Sequence, residues 1–301
     1  MKHLLSIESL TTAELQEILA LAVQMKATRG RHAEHPLRHQ CWAMMFSKSS
    51  TRTRVSFEVG IRELGGDVLF LSANDIQLGR GEPIRDTARV LGRMCHGAVI
   101  RTFAQSDVEE FARHSGIPTI TALTDEEHPC QILADLQTIE ERLGGCEGKV
   151  ITFIGDGACN MAASWMWAAA KLKIALRIAA PQHFQPQAGL LAKVRAAGAS
   201  VEVTEDRAAA AAGADVLYTD VWVSMGKEDE TEFRQAQLGA YQIDAALVQK
   251  AKPGALVLHC LPAYRGKEIT DEVLEAHADE IFAEAENRLH AQKAVLSLIA
   301  R

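Results

Sequence analysis

The chain has 301 residues, enough for two domains of ordinary size, and its 48% hydrophobic and 24% charged residues mark a globular protein with a sizeable core. A formal net charge of -7 excludes a general nucleic-acid binder, which would carry a basic excess, and makes any cluster of cations a local feature. Six cysteines with no C-x-x-C pair fit neither a disulfide framework nor a zinc site, and point to a reducing compartment.

From the N-terminus, MKHLLSIESLTTAEL has no long apolar stretch and is interrupted by Glu8 and Glu14, so it does not read as a signal peptide. No later run is long enough to span a bilayer, so the expected location is the cytoplasm, away from membranes. The first helix begins in TTAELQEILALAVQM. There Thr11 and Glu14 have capping-box spacing, and Leu15, Ile18, Leu19 and Ala22 recur at helical intervals. CWAMMF then predicts a strand, and VSFEVGIREL a helix whose apolar positions Val55, Val59, Ile61 and Leu64 share roughly one face. Further strands are predicted at DVLFLS, GAVIRTF, KVITFIGD, ALRIAAP, SVEVTED, VLYTDVW and ALVLHCLP. Several are continuous apolar runs, as expected of parallel strands covered on both faces, and helical patterns separate them. The predicted class is α/β, with two doubly wound domains, each a mainly parallel sheet flanked by helices. Three glycines in ERLGGCEGK follow the helical pattern QILADLQTIEERL and place the boundary so that residues 1–140 form one domain and 141–301 the other. AAAAAGA at 208–214 reads as a helix end.

The stretch SKSSTRTR, residues 47–54, holds five hydroxyls and three cations between a strand and a helix. Free backbone N–H groups and the dipole at a helix N-terminus favour an anion. Arg52 adds a planar donor fork suited to phosphate, and Ser50, Thr51 and Thr53 add hydroxyls, whereas Lys48 and Arg54 can serve as partners of carboxylates. In EEHPCQILADLQ, His128 and Gln131 lie three apart at a helix start, on one face, with Pro129 in the first turn. FIGDGACNMAAS also joins a strand to a helix, but its pattern is G-x-G-x-x-N, and ALRIAAP lacks the acidic residue that a ribose requires. That disfavours a dinucleotide and leaves Asn160 free to meet a carboxylate at the helix start. Asp220 stands near the end of a predicted strand, followed by Ser224 and Met225, and His259, Cys260 and Leu261 stand at the end of another. Ligands of open α/β sheets bind outside the carboxyl ends of strands, where Arg52, Asn160, Asp220 and Cys260 all fall. These positions predict a cleft between two α/β domains, one wall for a phosphate-like anion and the other offering an acid, an amide and a thiol. No G-x-x-x-x-G-K-[ST] occurs, which argues against a kinase.

Together these motifs resemble the transcarbamylase family. SSTRTR and HPCQ resemble the carbamoyl-phosphate site common to that family, while DVWVSMG and HCLPA resemble the amino-acid site of its ornithine-using members. The likeness continues through DTARVLGRM and AENRLHAQKAVL, nearly end to end. It implies transfer of a carbamoyl group from carbamoyl phosphate to the δ-amine of L-ornithine, giving L-citrulline and phosphate, with no metal or organic cofactor. Ser50, Thr51, Arg52 and Thr53 would hold the phosphate, joined by Arg101 in VIRTF. His128 and Gln131 would bind the carbamoyl end, and Gln77 in DIQLG would come from a neighbouring subunit. Asn160, Asp220, Ser224 and Met225 would hold the α-amino and α-carboxylate groups of ornithine, and Cys260, Leu261 and Arg288 would complete the carbamoyl-phosphate site. Arg52, Arg101, His128 and Cys260 would carry the chemistry. The last helix, about 285–301, would return to the first domain, and the assembly would be a homotrimer or a multiple of one. Ser47, where relatives usually carry an acid, Tyr264 in HCLPAYRG and the loop LGRGEP depart from the commoner pattern. The competing expectations are a transcarbamylase for putrescine or N-acetylornithine, a non-catalytic relative, and a Rossmann oxidoreductase. Asp220 and SMG argue against putrescine, which has no α-amino or α-carboxylate group to bind.

Overall fold

The computed structural model describes residues 1–72, 81–224 and 226–300. They form two compact units, one of residues 1–137 with 286–301 and the other of residues 138–285. No described helix is long and apolar enough to cross a membrane.

The first unit is built from α1 (Thr12–Ala27), β1 (Cys41–Phe46), α2 (Thr51–Glu63), β2 (Asp67–Ser72), α3 (Ile84–Met94), β3 (Gly97–Arg101), α4 (Gln105–Ser115), β4 (Thr119–Leu123) and the start of α5 (Pro129–Leu143). The α1 capping box forms as its spacing predicts: the Glu14 backbone N–H donates to Thr11 Oγ1 at 3.1 Å, and the Thr11 N–H donates to Glu14 Oε2 at 2.9 Å. Leu15, Ile18, Leu19 and Ala22 are its buried face. The sheet is wholly parallel in the order β2-β1-β3-β4. From β1 the chain first winds outward to β2 and then crosses back to β3, so its switch point lies at the carboxyl ends of β1 and β3.

Two elements differ from the sequence reading. Strand β4, TITAL, is absent from the predicted strands because its threonines interrupt any apolar run, yet all five residues are buried. The face of α2 is also different: Thr53, Ser56, Phe57, Gly60 and Ile61 are buried, whereas Val55 is 54% exposed. Ile61 and Leu64 are buried as their spacing predicts, and the small or polar positions Thr53 and Gly60 are buried with them because α2 lies against another helix. A Cβ on Gly60 would stand 3.4 Å from Leu289 Cδ1 and 3.2 Å from Lys293 Cγ. Both residues belong to the last helix of the chain, whose C-terminal part (from Glu286) packs within the first unit.

The second unit continues from α5 through β5 (Val150–Ile154), α6 (Asn160–Leu172), β6 (Ala175–Ala179), α7 (Ala188–Ala196), β7 (Ser200–Thr204), α8 (Arg207–Ala211), β8 (Val216–Thr219), α9 (Thr231–Leu238), α10 (Ala245–Val248), β9 (Leu256–His259), α11 (Asp271–Ala276) and the start of α12 (Ala278–Ile299). Its parallel sheet runs β7-β6-β5-β8-β9, with the switch point between β5 and β8. Phe153 stacks on Tyr218 with centroids 5.7 Å apart, and Trp165 meets the same tyrosine edge-on at 5.3 Å. Ile154, Leu217, Val257, Ile243 and Ile281 belong to a core cluster over this sheet. Apolar burial of this kind contributes roughly 25 cal/mol per Å² and fixes where the strand ends project.

Candidate active site

In the first unit the anion loop leaves β1 and enters α2 through Ser50. Ser50 is extended (φ -164°, ψ 113°), and its hydroxyl oxygen accepts from the Thr53 N–H at 3.3 Å. The cap occupies one of the free N–H groups at that terminus and leaves the dipole pointing at the loop. Lys48 is engaged by Asp125 and stands 4.2 Å over the Phe103 ring. Arg54 pairs with Glu58 at 3.5 Å and stacks at 3.7 Å on Phe70. Both are structural, as the sequence allowed.

The remaining cations converge. Arg101 is the last residue of β3 and is buried. Arg288, on α12 and 3% exposed, donates from Nη2 to Thr53 Oγ1 at 2.7 Å. His128 immediately precedes Pro129, the first residue of α5, and its carbonyl accepts from the Gln131 N–H at 3.0 Å. Burial first, then the charges of Arg288, Arg101 and Arg52, hold the His128 imidazole well below the ordinary histidine range. It is therefore neutral near pH 7. The charges of three guanidinium groups, from α2, β3 and α12, thus act on one buried ring that lies between β4 and α5. Like charges gathered this way repel one another, and a dianion among them removes the repulsion.

Gln131 is buried and donates from Nε2 to Asp135 Oδ1 at 2.8 Å, and Asp135 is fully buried. Asp135 was not singled out from the sequence. Its position four residues after Gln131 is the signal that could have found it. Thr51 is exposed at the head of α2. Gln77 lies outside the described residues.

In the second unit the loop after β5 turns directly into α6, with Asn160 as its first residue and Cys159 as the cap. Cys159 Sγ accepts from the Ala162 N–H at 3.5 Å. The glycine pattern of this loop has a packing cause: a Cβ on Gly157 would stand 2.7 Å from Ile178 Cγ2 and 3.0 Å from the Phe184 carbonyl oxygen. Asp220 follows β8 and Cys260 follows β9. The Cys260 thiol donates to Asp220 Oδ1 at 2.9 Å, and the Val221 N–H donates to the same oxygen at 2.7 Å. Burial pushes the Asp220 carboxyl above its ordinary range, opposed by the Cys260 hydrogen bond. A carboxylate in that setting favours a cationic ligand.

His259, 1% exposed, fixes the turn that carries Cys260 and Leu261. Its Nδ1 accepts from the Leu261 N–H at 2.9 Å, which puts the ring proton on Nε2, 3.2 Å from Glu268 Oε1. Ser224 is half-buried in the segment after β8, and Met225 lies outside the described residues. Arg234, on α9, donates from Nη1 to Asp156 Oδ2 at 2.7 Å and to the Trp222 carbonyl at 3.2 Å, and from Nε to Glu230 Oε2 at 2.6 Å. It ties the loop after β5 to the segment after β8. Sequence reading missed this pair because the partners are 78 residues apart and share no local pattern. Among the described residues no group of three histidine, cysteine or acidic side chains could hold a metal ion.

Residues 2–141 match the family model for the aspartate/ornithine carbamoyltransferase carbamoyl-P binding domain, and residues 147–299 match the model for the Asp/Orn binding domain of the same family. An ornithine carbamoyltransferase of Akkermansia muciniphila is 58% identical over 100% of this chain and 98% of its own length. Among solved structures, the anabolic ornithine carbamoyltransferase of Campylobacter jejuni superposes with a TM-score of 0.93 at 40% identity, covering 99% of both chains. The ornithine carbamoyltransferase of Pyrococcus furiosus gives 0.93 at 42% identity, over 99% of this chain and 96% of its own. With both halves matched in order, the chain belongs to the aspartate/ornithine carbamoyltransferase family.

Proposed function

We propose that this protein transfers the carbamoyl group of carbamoyl phosphate to the δ-amine of L-ornithine, giving L-citrulline and phosphate, as a cytoplasmic enzyme of arginine biosynthesis. The observation that carries this reading is the convergence of Arg52, Arg101 and Arg288 on the neutral His128. The names of the relatives at 46–58% identity support the acceptor. Residues 1–140 would bind the donor and 141–301 the acceptor, with the last helix, about 285–301, serving the first domain. In the assembly we expect, a homotrimer or a multiple of one, Gln77 would be lent by a neighbouring subunit.

In this mechanism the phosphate dianion lies at the head of α2, held by Ser50, Thr51, Arg52 and Thr53 and by Arg101 and Arg288. His128 and Gln131 orient the carbamoyl group; a neutral imidazole donates to the carbonyl oxygen without spending charge. Leu261 and Cys260 complete the donor site. Asp220 takes the α-ammonium of ornithine, and Asn160, Ser224 and Met225 hold its carboxylate end. The neutral δ-amine attacks the carbonyl carbon, forming the C–N bond. Charge gathers on the former carbonyl oxygen, where Arg52, Thr53, Arg101 and His128 stabilise it. The C–O bond to phosphate then breaks, and the leaving phosphate accepts the amine proton, so no protein base is required. Positioning and electrostatics supply the rate.

The test is a colorimetric assay for ureido product, run with ornithine, putrescine, N-acetylornithine and aspartate as acceptors. Product with ornithine alone is the expected result. Turnover of putrescine in place of ornithine would retain the donor site and overturn the role of Asp220. No product from any amine would move the protein to a non-catalytic role.

A further inference from the structure

Beyond the residues that would touch carbamoyl phosphate, the first unit holds an ionic cluster around one buried lysine that the mechanism does not use. Lys293 on α12 is fully buried. Its Nζ donates to Glu63 Oε2 at 2.6 Å and to His32 Nε2 at 2.9 Å. Arg29 donates from Nε to the other Glu63 oxygen at 3.1 Å. The Thr28 hydroxyl donates to the Gln24 carbonyl at 2.8 Å, so at 3.1 Å it accepts from His32 Nδ1, which leaves Nε2 as the acceptor that Lys293 needs. A fully partnered network of this kind fixes a single packing arrangement.

The position of this cluster on α2 gives it a consequence. Thr53 in the first turn of α2 meets Arg288, Gly60 in its middle lets α12 approach, and Glu63 at its end meets Lys293. Arg288 and Lys293 lie five residues apart on one helix, about 7.5 Å along its axis. Thr53 and Glu63 lie ten apart on the other, about 15 Å, and the long arginine and lysine side chains bridge the difference. A Cβ at Gly60 would press on the Lys293 stem, 3.2 Å from its Cγ, and meet Leu289 Cδ1 at contact distance, so the side chains of α12 would have to give by a few tenths of an ångström. We infer that the Lys293–Glu63 pair, held by His32 and Arg29, is a positioning clamp for the donor site: it seats α12 on α2 and thereby sets the Arg288 guanidinium over the phosphate-binding turn. This rests on the reading of that turn as the carbamoyl-phosphate site. Lys293 and Glu63 are positioning residues, since they act through Arg288.

The test measures the Kd for inorganic phosphate by calorimetry, the KM values for carbamoyl phosphate and ornithine, and the thermal midpoint of wild type, Lys293→Met and Glu63→Gln. Loss of well-aimed Arg288 contacts should raise the phosphate Kd and the carbamoyl-phosphate KM about tenfold. The ornithine KM should stay within about twofold, a split that general destabilisation would not produce. Should a single variant leave an unpartnered charge and fail to fold, the Lys293→Met/Glu63→Gln double variant removes both charges together, and Gly60→Ala crowds the Lys293 stem at Cγ while leaving both charges in place. Both should weaken phosphate binding in the same direction, Gly60→Ala by less. Folded variants that bind phosphate as tightly as wild type would overturn the clamp, as would KM values for both substrates rising together. A wild-type protein that binds neither phosphate nor carbamoyl phosphate would overturn the donor site itself, and the clamp with it.

Discussion

The two units share an architecture but differ in what their switch points present. In the first, the charges of three arginines from α2, β3 and α12 act with burial to keep one histidine neutral. In the second, a carboxylate is held by a thiol and a backbone N–H, Asp220 with Cys260 and Val221, and its pKa is pushed up by burial. The first arrangement, with its surplus positive charge, suits an anion; the second, a buried carboxylate, suits a cation. A parallel sheet places loops at its switch point whatever they carry, so the two chemistries differ through a few loop residues on one scaffold.

The largest effect that separates the two sites is expected at Arg52. If Arg52 holds the phosphate and the developing oxyanion as proposed, Arg52→Ala should lower kcat/KM by about 1000-fold. Steady-state citrulline formation measures it. Next is Asp220→Asn, which would remove the charge proposed to face the α-ammonium; the ornithine KM should rise roughly 100-fold, with only a few-fold rise for carbamoyl phosphate through Cys260, whose thiol donates to this carboxylate. An equal rise in both constants would mean that the two sites are not separable. Asp135→Ala takes away the acceptor that holds Gln131 and should raise the carbamoyl-phosphate KM about tenfold, with a smaller loss in Asp135→Asn.

The smallest effect is a pH dependence of stability. His128 is depressed by burial and the three arginines, and His290 is lowered to about 4, chiefly by burial. Groups depressed in the fold bind fewer protons there than in the unfolded chain, so stability rises with pH and is lost as pH falls below the ordinary histidine value of about 6.5. For His290 the loss runs from about 6.5 down to about 4. The denaturant midpoint should fall between pH 7 and 5, and His290→Gln should flatten part of that fall. An unchanged slope in that variant would deny His290 any share in it.

Much of this was legible in the chain, for local reasons. Thr11 and Glu14 announce a cap because both partners lie within one turn, and continuous runs such as CWAMMF announce buried parallel strands. The loop SKSSTRTR could be placed between a strand and a helix because the apolar run CWAMMF ends where its consecutive hydroxyls and cations begin. What stayed hidden depends on residues distant in sequence. Strand β4 is buried although its threonines break the apolar pattern and it stands at the edge of the sheet, because β3 pairs with one side of it and the N-terminal segment at Leu4 bridges the other. The buried face of α2 is set by a helix more than two hundred residues later, so Val55 points outward while Gly60 points in. Arg234 with Asp156, and Lys293 with Glu63, are ionic ties between distant segments that no spacing rule reports.

The central claim is that donor and acceptor recognition reside in two sites with separate electrostatic origins. Calorimetric titration of carbamoyl phosphate into wild type, Arg52→Ala and Asp220→Asn tests it most directly. Wild type should bind, Asp220→Asn should stay within a few-fold of it, and Arg52→Ala should bind about 100-fold or more weakly. Undiminished binding in Arg52→Ala, or equal weakening in both variants, would contradict it.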